Sequence, residues 1–326
     1  MNPLLATICI AALVYRAYSH NSLTPAGILA AVVTATIHAL HPWPVFFALL
    51  CLFFLAGTAA TKVKADIKAS LTLHESPVAS EPDGRAEPSS GGGEGPRTHI
   101  QVLANSAVAS LLILLHIWTL RSVPPSSSQR WDLPLLSSSS SPSSSPPRTP
   151  LAHLSPLLPL GIIANYAAVT ADTLSSELGI LSRTAPVLIT RPWKTCARGT
   201  NGGVTLLGLG AGLLGGLLIA VAAVVMLSFG EGWSLGARGW FFVMVAGWGA
   251  AGSVLDSLLG ATLQRTVVDG RTGKVVEGRG GREVGDGKNE MAAGDLSGWA
   301  VLDNNAVNSM MAALMSFGAI GIAGVV

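Results

Sequence analysis

Apolar residues along the chain gather into eight runs: 3–19, 22–40, 43–60, 100–120, 156–178, 203–229, 239–262 and 299–326. A helix that crosses a bilayer needs about 20 mostly apolar residues. The pattern therefore predicts an all-α membrane protein, a polytopic bundle of about eight transmembrane helices that forms one membrane domain over 1–326. The second and third runs meet at HPWP, a proline-rich turn. The fifth run is interrupted by polar residues, which predicts a broken or partly inserted helix. The first run lacks a basic leader and a small-residue cleavage site, so it is read as a retained helix.

Three polar stretches separate the runs. Residues 69–98 contain ESPVASEPDGRAEPSSGGGEG and residues 122–150 contain SSSSSPSSSPP. Neither holds enough apolar surface to offset chain entropy, so both are expected to be disordered. Residues 264–298, rich in Gly and charge, are expected to form a flexible loop.

Composition agrees with a membrane protein. Of the 326 residues, 49% are hydrophobic and 12% charged, against about 25% charged in soluble domains. Gly is abundant at 37 residues, which suits close helix packing in a bilayer. A net charge of +2, without a basic-aromatic stripe, gives no sign of nucleic-acid binding. Cys9, Cys51 and Cys196 form no CxxC pair, which argues against a disulfide framework or a zinc site.

Lys and Arg placement sets the expected orientation. The short loop 183–198 carries Arg183, Arg191, Lys194 and Arg198, whereas 230–238 carries Arg238 alone. The first side is expected to be cytosolic, with both termini on the opposite side. The polar clusters then share the cytosolic face: GTAATKVKADIK (57–68), QVLAN (101–105), ADTLSSELG (171–179), GTNGG (199–203), GSVLDSLLGATLQ (252–264) and VLDNNAVN (301–308). Ionisable groups within a span are costly and mark functional sites.

Their residue types suit phosphate chemistry. Asp172, Glu177, Asp256 and Asp303 are hard oxygen ligands and the expected Mg²⁺-binding and catalytic residues. Lys62 and Lys64 are expected on phosphate oxygens. Thr173, Asn201, Gly202, Asn304, Asn305 and Asn308 are the further expected phosphate- or substrate-binding positions. The Gly-rich GTNGG leaves backbone N–H groups free ahead of a helix, a candidate anion nest.

Each signal has a plainer reading. Asp172 and Glu177 lie about 140° apart on a regular helix, so they do not share a face. Asp256 shares a small-residue face with Gly249, Gly252 and Gly260, as in helix packing. Asp303 suits a helix N-cap, and Lys62, Lys64 and Lys68 suit positive-inside anchors. Gly208, Gly212 and Gly216 form a GxxxGxxxG packing ladder. The seven histidines show no ligand spacing.

ADTLSSELG resembles the GDTWASELG element of the transmembrane protein 19 family of integral membrane proteins, which also contains the plant phytyl-phosphate kinase. FFLAGTAATKVKADIK, QVLAN, GTNGGVTLLGLGAGLLGG, GSVLDSLLGATLQ and VLDNNAVN resemble that family's other elements, in the same order, and YRAYSHNSLTPAGILAAVV resembles its N-terminal region. Asp172, Thr173, Glu177, Asn201, Asp256, Asp303, Asn304 and Asn305 match the family's polar positions. The chain departs from the pattern at Ala171, usually Gly, at Leu174, usually Trp, and at Ser175, where Ala is common before Ser176.

The resemblance implies phosphate transfer from a nucleoside triphosphate, CTP or ATP, to a prenyl monophosphate; the residue types add the expected Mg²⁺ and the basic loops the cytosolic face. Expected partners are the bilayer and an isoprenoid-phosphate lipid, and the endoplasmic reticulum is favoured over a plastid. The competing expectations are a lipid-phosphate or anion transporter, or a structural membrane protein whose polar residues cap helices. The lipid, the nucleotide and the oligomeric state are not fixed by the sequence.

Overall fold

A computed structural model describes residues 2–71, 73–74, 96–121, 130–131, 133, 154–269, 275–277, 290–292 and 298–325. Nine helices are among them. They are α1 (Pro3–Ser19), α2 (Pro25–Leu40), α3 (Val45–Lys62), α4 (Ala65–Leu71), α5 (His99–Leu120), α6 (Leu158–Gly179), α7 (Leu206–Met226), α8 (Leu235–Leu263) and α9 (Asn304–Val325). Eight of these correspond to the eight apolar runs, and the short α4 is additional.

Local chemistry sets several boundaries. Thr24 accepts from the Gly27 N–H with Pro25 beginning α2, Thr205 accepts from Gly208, and Ser234 accepts from Ala237. These are ordinary N-caps. Ser234 lets α8 begin earlier than its apolar run suggests.

Helices α3, α5, α7, α8 and α9 are long and apolar enough to cross a membrane, while α1 and α2 are apolar but shorter. Helix α6 is the centre of the bundle and packs against α3, α5, α7, α8 and α9. Ile162, Tyr166, Ala167, Ala168, Val169 and Ala171 are fully buried. The expected break in this segment does not occur: Leu158–Gly179 is one continuous helix. Its polar residues interrupt the hydropathy and not the backbone, because they face neighbouring helices instead of lipid.

Glycines let the neighbours approach. A Cβ on Gly216 would lie 2.5 Å from the Ala246 carbonyl, one on Gly215 2.7 Å from Ala171 Cα, and one on Gly249 2.9 Å from the Ala167 carbonyl. The GxxxGxxxG ladder is thus helix packing, with Gly208 against α6, Gly212 against both α6 and α8, and Gly216 against α8. The contact pairs also give direction. Helix α6 runs alongside α8 (Ala168 by Gly252) and α3 (Thr173 by Gly57), and against α7 (Gly179 by Gly208) and α9 (Gly161 by Ile320).

Short strands lie between the helices: β1 (Leu73–His74), β2 (Val187–Leu188), β3 (Arg191–Thr195), β4 (Gly203–Val204), β5 (Val267–Asp269), β6 (Val276–Glu277) and β7 (Glu290–Ala292). They pair as β1–β6, β3–β2–β4 and β5–β7. Sequence composition hid this order. Parts of 69–98 and 264–298 form α4 and strands, and the rest of both stretches lies largely outside the described residues. Most of 122–150 also lies outside them, but Trp131 is 1% exposed. Its backbone bonds Ser228 and Gly230, and its ring meets Phe229, Trp233 and Phe241.

Candidate functional site at one end of the bundle

The directions of the helices bring the second halves of α3, α6 and α8 to the same end as the starts of α5, α7 and α9. The six polar clusters therefore gather at one end of the bundle, as the sequence pattern predicted. Two distinct constellations occur there, one on each side of α6.

The first is acidic. The carboxyl groups of Asp172 on α6 and Asp256 on α8 lie within hydrogen-bonding reach of each other. Gly249 and Gly252, two turns and one turn before Asp256, press α8 against Ala167 and Ala168 of α6 and so set this approach. Asn308 of α9, with its amide nitrogen turned to these acceptors, donates to Asp256 Oδ1 at 3.1 Å and to the Asn304 carbonyl at 3.2 Å. The Asn304 side chain in turn lies 3.5 Å from Nε2 of the buried Gln264. Among the described residues neither carboxylate of the pair has a basic partner. Two ionised carboxylates in contact repel, so the arrangement calls for a shared proton or an intervening cation.

The second constellation is a charge cluster. Lys68 of α4 forms an ion pair with Glu177 Oε2 and donates to the Ala60 carbonyl at 2.8 Å. Thr61 donates to Glu177 Oε1 at 2.6 Å. Arg97 donates to Thr61 Oγ1 at 3.1 Å and stands 4.0 Å from Glu177 Oε1. Both oxygens of Glu177 are thereby engaged. This is the physical reason Glu177 does not join Asp172: the two carboxylates leave α6 in different directions and meet different helices.

The other expected site residues divide similarly. Asp303 is exposed and caps α9, accepting from the Ala306 N–H at 2.8 Å. Among the described residues no three His, Cys, Asp or Glu side chains gather as a metal-binding group. The expected four-carboxylate set is therefore reduced to the Asp172–Asp256 pair. Lys62 and Lys64 are exposed, and Lys64 takes a left-handed turn (φ 48°) leading into α4. Thr173 turns its methyl toward Gly57 of α3. Asn305 is half-buried in the first turn of α9.

GTNGG packs instead of forming a free nest. The N–H groups of Thr200, Asn201 and Gly203 donate to Ala197, Thr266 and Thr200. Asn201 Nδ2 donates to the Arg265 carbonyl at 3.2 Å. A Cβ on Gly202 (φ 77°) would fall 2.3 Å from Ala261 Cβ. Asn201 and Gly202 thus fasten the α7 entry to the end of α8.

Sequence reasoning missed Arg97 and the paired role of Lys68. Arg97 was masked by the low-complexity stretch that precedes it, and Lys68 looked like one anchor among three. Asn165 is fully buried and donates to the Asn105 carbonyl at 3.0 Å. Asn165 precedes Asp172 by seven residues and so lies nearly in line with it on α6.

A Mg²⁺ ion fits this donor set in one particular way. Mg²⁺ is commonly held by one or two carboxylates together with substrate phosphates. Asp172 and Asp256 supply two carboxylates without internal neutralisation, and the phosphates would complete the shell.

Comparison with known proteins places the chain. Residues 8–316 match the family described as integral membrane protein DUF92. Protein PGR of Arabidopsis thaliana is 32% identical over 315 residues, covering 96% of this chain and 93% of that protein. The uncharacterized membrane protein MJ0933 of Methanocaldococcus jannaschii is 39% identical over 108 residues, covering 32% of this chain and 40% of that protein. No solved structure matches. The chain belongs to the DUF92 family of integral membrane proteins, in agreement with the family resemblance of its motifs.

Proposed function

We propose that this DUF92 family member is a kinase of an isoprenoid-alcohol monophosphate, acting at the membrane face that carries the Asp172–Asp256 pair. The observation that carries the reading is that pair: two carboxylates in contact inside a helix bundle, without a basic partner among the described residues. The motif resemblance to a family containing the plant phytyl-phosphate kinase supports the same substrate class.

Mg²⁺, when bound, would neutralise phosphate charge and bring donor and acceptor phosphates together. The chain's own residues position it. Asp172 and Asp256 would hold the cation, and Asn308 fixes the Asp256 carboxylate by donating to Oδ1. The acceptor is already an anionic phosphate, so its oxygen attacks the γ-phosphorus without a separate general base. The bond to the nucleoside diphosphate breaks as the new P–O–P bond forms. Catalysis of this kind is mostly positioning and charge stabilisation. The proposed setting is the endoplasmic reticulum, with the site on the cytosolic face and both termini opposite.

The test is phosphoryl transfer by purified protein in nanodiscs with Mg²⁺ and labelled CTP or ATP. Phytyl, geranylgeranyl, farnesyl and dolichyl monophosphates are the acceptors. The expected result is a diphosphate product from wild type and loss of it in Asp172→Asn. No product from any acceptor, with folded protein, overturns the reading. The alternative of a lipid-phosphate transporter drew on a broken fifth helix, and the continuity of α6 removes that support.

A further inference from the structure

A cavity of about 80 Å³ lies between α1, α2, α3 and α5. Val14, Ala31 and Phe53 line its apolar body, and Gln101 and Asn105 contribute amides. Its lining carries one charged side chain, Arg97. By the same measure one water needs about 10–15 Å³, so the space has room for several waters or one slender chain segment.

Arg97 is held with unusual firmness for a residue just outside a helix. Its N–H donates to the Ser22 carbonyl and its own carbonyl accepts from Thr24, both at 3.0 Å. A Cβ on Gly27 would lie 2.6 Å from that carbonyl, so the absence of one lets the first turn of α2 pass close by. Held in this way, the side chain reaches across to α3 and α6. A Cβ on Gly57 would lie 3.2 Å from Arg97 Nη1 and 3.3 Å from the Thr173 methyl. The guanidinium therefore stands against Thr173, on the side of α6 that also carries Glu177. Thr61 takes one of its N–H donors, out of the five a guanidinium offers.

Resting on the kinase reading, we infer that this cavity is the lipid site. The tail segment nearest the headgroup of a single-chain lipid lies between α1, α2, α3 and α5. Arg97 binds the phosphate monoester at the same end of the bundle as the Asp172–Asp256 pair. Charge complementarity identifies the occupant: an apolar slot whose lining includes one arginine fits one hydrocarbon chain bearing one phosphate, since Arg pairs with phosphate through parallel N–H···O bonds. The remainder of the tail extends into the bilayer.

The test is equilibrium binding to the full chain in nanodiscs without nucleotide or Mg²⁺. Geranylgeranyl monophosphate, geranylgeraniol and inorganic phosphate are the probes. Wild type is expected to bind the lipid monophosphate most tightly and inorganic phosphate weakly. Ala31→Phe fills the slot, touches no ion pair, and should weaken the monophosphate and the alcohol alike, by about tenfold or more. Arg97→Gln should weaken the monophosphate by about tenfold and leave the alcohol unchanged. Arg97→Gln leaves Glu177 paired with Lys68, so an unchanged alcohol affinity in this variant separates loss of phosphate binding from loss of folding.

Wild-type affinity for the monophosphate in both Ala31→Phe and Arg97→Gln would overturn the inference, as would equal affinity of wild type for monophosphate and alcohol. Because no turnover is read, binding with these effects but without any kinase product would leave the lipid site standing and remove the kinase. Turnover unaffected by Ala31→Phe would do the reverse.

Discussion

Replacing one member of the acidic pair should stabilise the protein in the absence of divalent ions. The carboxyl groups of Asp172 and Asp256 are in contact, and the described residues supply no cation to either. Two unit charges about 4 Å apart repel by about 4 kcal/mol at an effective dielectric constant of 20. A shared proton relieves part of this, so the recoverable share is about 1–3 kcal/mol. Asp172→Asn keeps the shape and gives Asp256 an amide donor in place of a charge. In EDTA at neutral pH the variant should melt at least about 2 °C above wild type, on the scale of about 2–4 °C per kcal/mol for chains of 150–250 residues. Adding Mg²⁺ should raise the wild-type midpoint, by an amount equivalent to about 2.7 kcal/mol at a hundredfold excess over Kd, and should move the variant little. The assay is thermal unfolding in nanodiscs, with and without Mg²⁺, for wild type, Asp172→Asn and Asp256→Asn. The reasoning fails if both variants melt below wild type in EDTA and Mg²⁺ shifts all three proteins equally.

The glycine contacts separate positions that sequence alone treats alike. Gly216→Ala places a methyl 2.5 Å from the Ala246 carbonyl and should cost about 1–3 kcal/mol, whereas Gly210, where an added Cβ would meet nothing within 4 Å, should accept Ala without loss; equal melting points for the two would contradict the packing described. Glu177→Gln leaves Lys68 at 12% side-chain exposure without its carboxylate; α4 should then undock, seen as faster hydrogen exchange across Ala65–Leu71, and Lys68→Gln with Glu177→Gln should recover part of the protection. Burial pushes the Cys196 thiol up, against a smaller opposing effect of its hydrogen bond with Thr200. Since only the thiolate is nucleophilic, maleimide labelling of Cys196 in a Cys9→Ala, Cys51→Ala background should be slow at pH 7 and rise steeply with pH; labelling that is already fast at pH 7 would refute this.

The sequence made the helices legible because lipid imposes a simple rule: an exposed span must be apolar for its whole length. The same rule misjudged α6. Asn165, Thr170 and Asp172 look like interruptions on a hydropathy scale, yet they are buried or half-buried against protein, where hydropathy does not decide helicity. The pairing of Asp172 with Asp256 was visible only as two acids at one membrane face, since the spacing of α6 from α8 depends on which glycines meet which alanines. Asp303 was readable either way, and its exposed capping geometry selects the plainer reading. Arg97 was hidden because composition averages over a stretch, while one residue at its end is fixed by pairing with Leu23.

Polar groups also occur in the other half of the bundle, and their state bears on how the molecule works. His38 is fully buried, with Nδ1 2.7 Å from the Thr34 carbonyl and Nε2 bonded to the Tyr166 hydroxyl. The carbonyl can only accept, so His38 Nδ1 carries the proton and Nε2 accepts from Tyr166. His41 accepts from the Trp43 N–H at 2.9 Å and therefore donates through Nε2 to His116 Nδ1 at 3.0 Å. Both nitrogens of His38 and of His41 are thus committed to neighbours, and Trp43 and Phe46 pack around the His41–His116 pair. A transport route needs polar groups that can exchange partners with a passing ligand. The partners of His38 and His41 are fixed, whereas among the described residues the Asp172–Asp256 pair toward the other end has no basic partner. That asymmetry favours chemistry at one face over passage through the bundle. It also makes a discriminating expectation: His38→Phe should alter stability, while Asp172→Asn should abolish phosphoryl transfer.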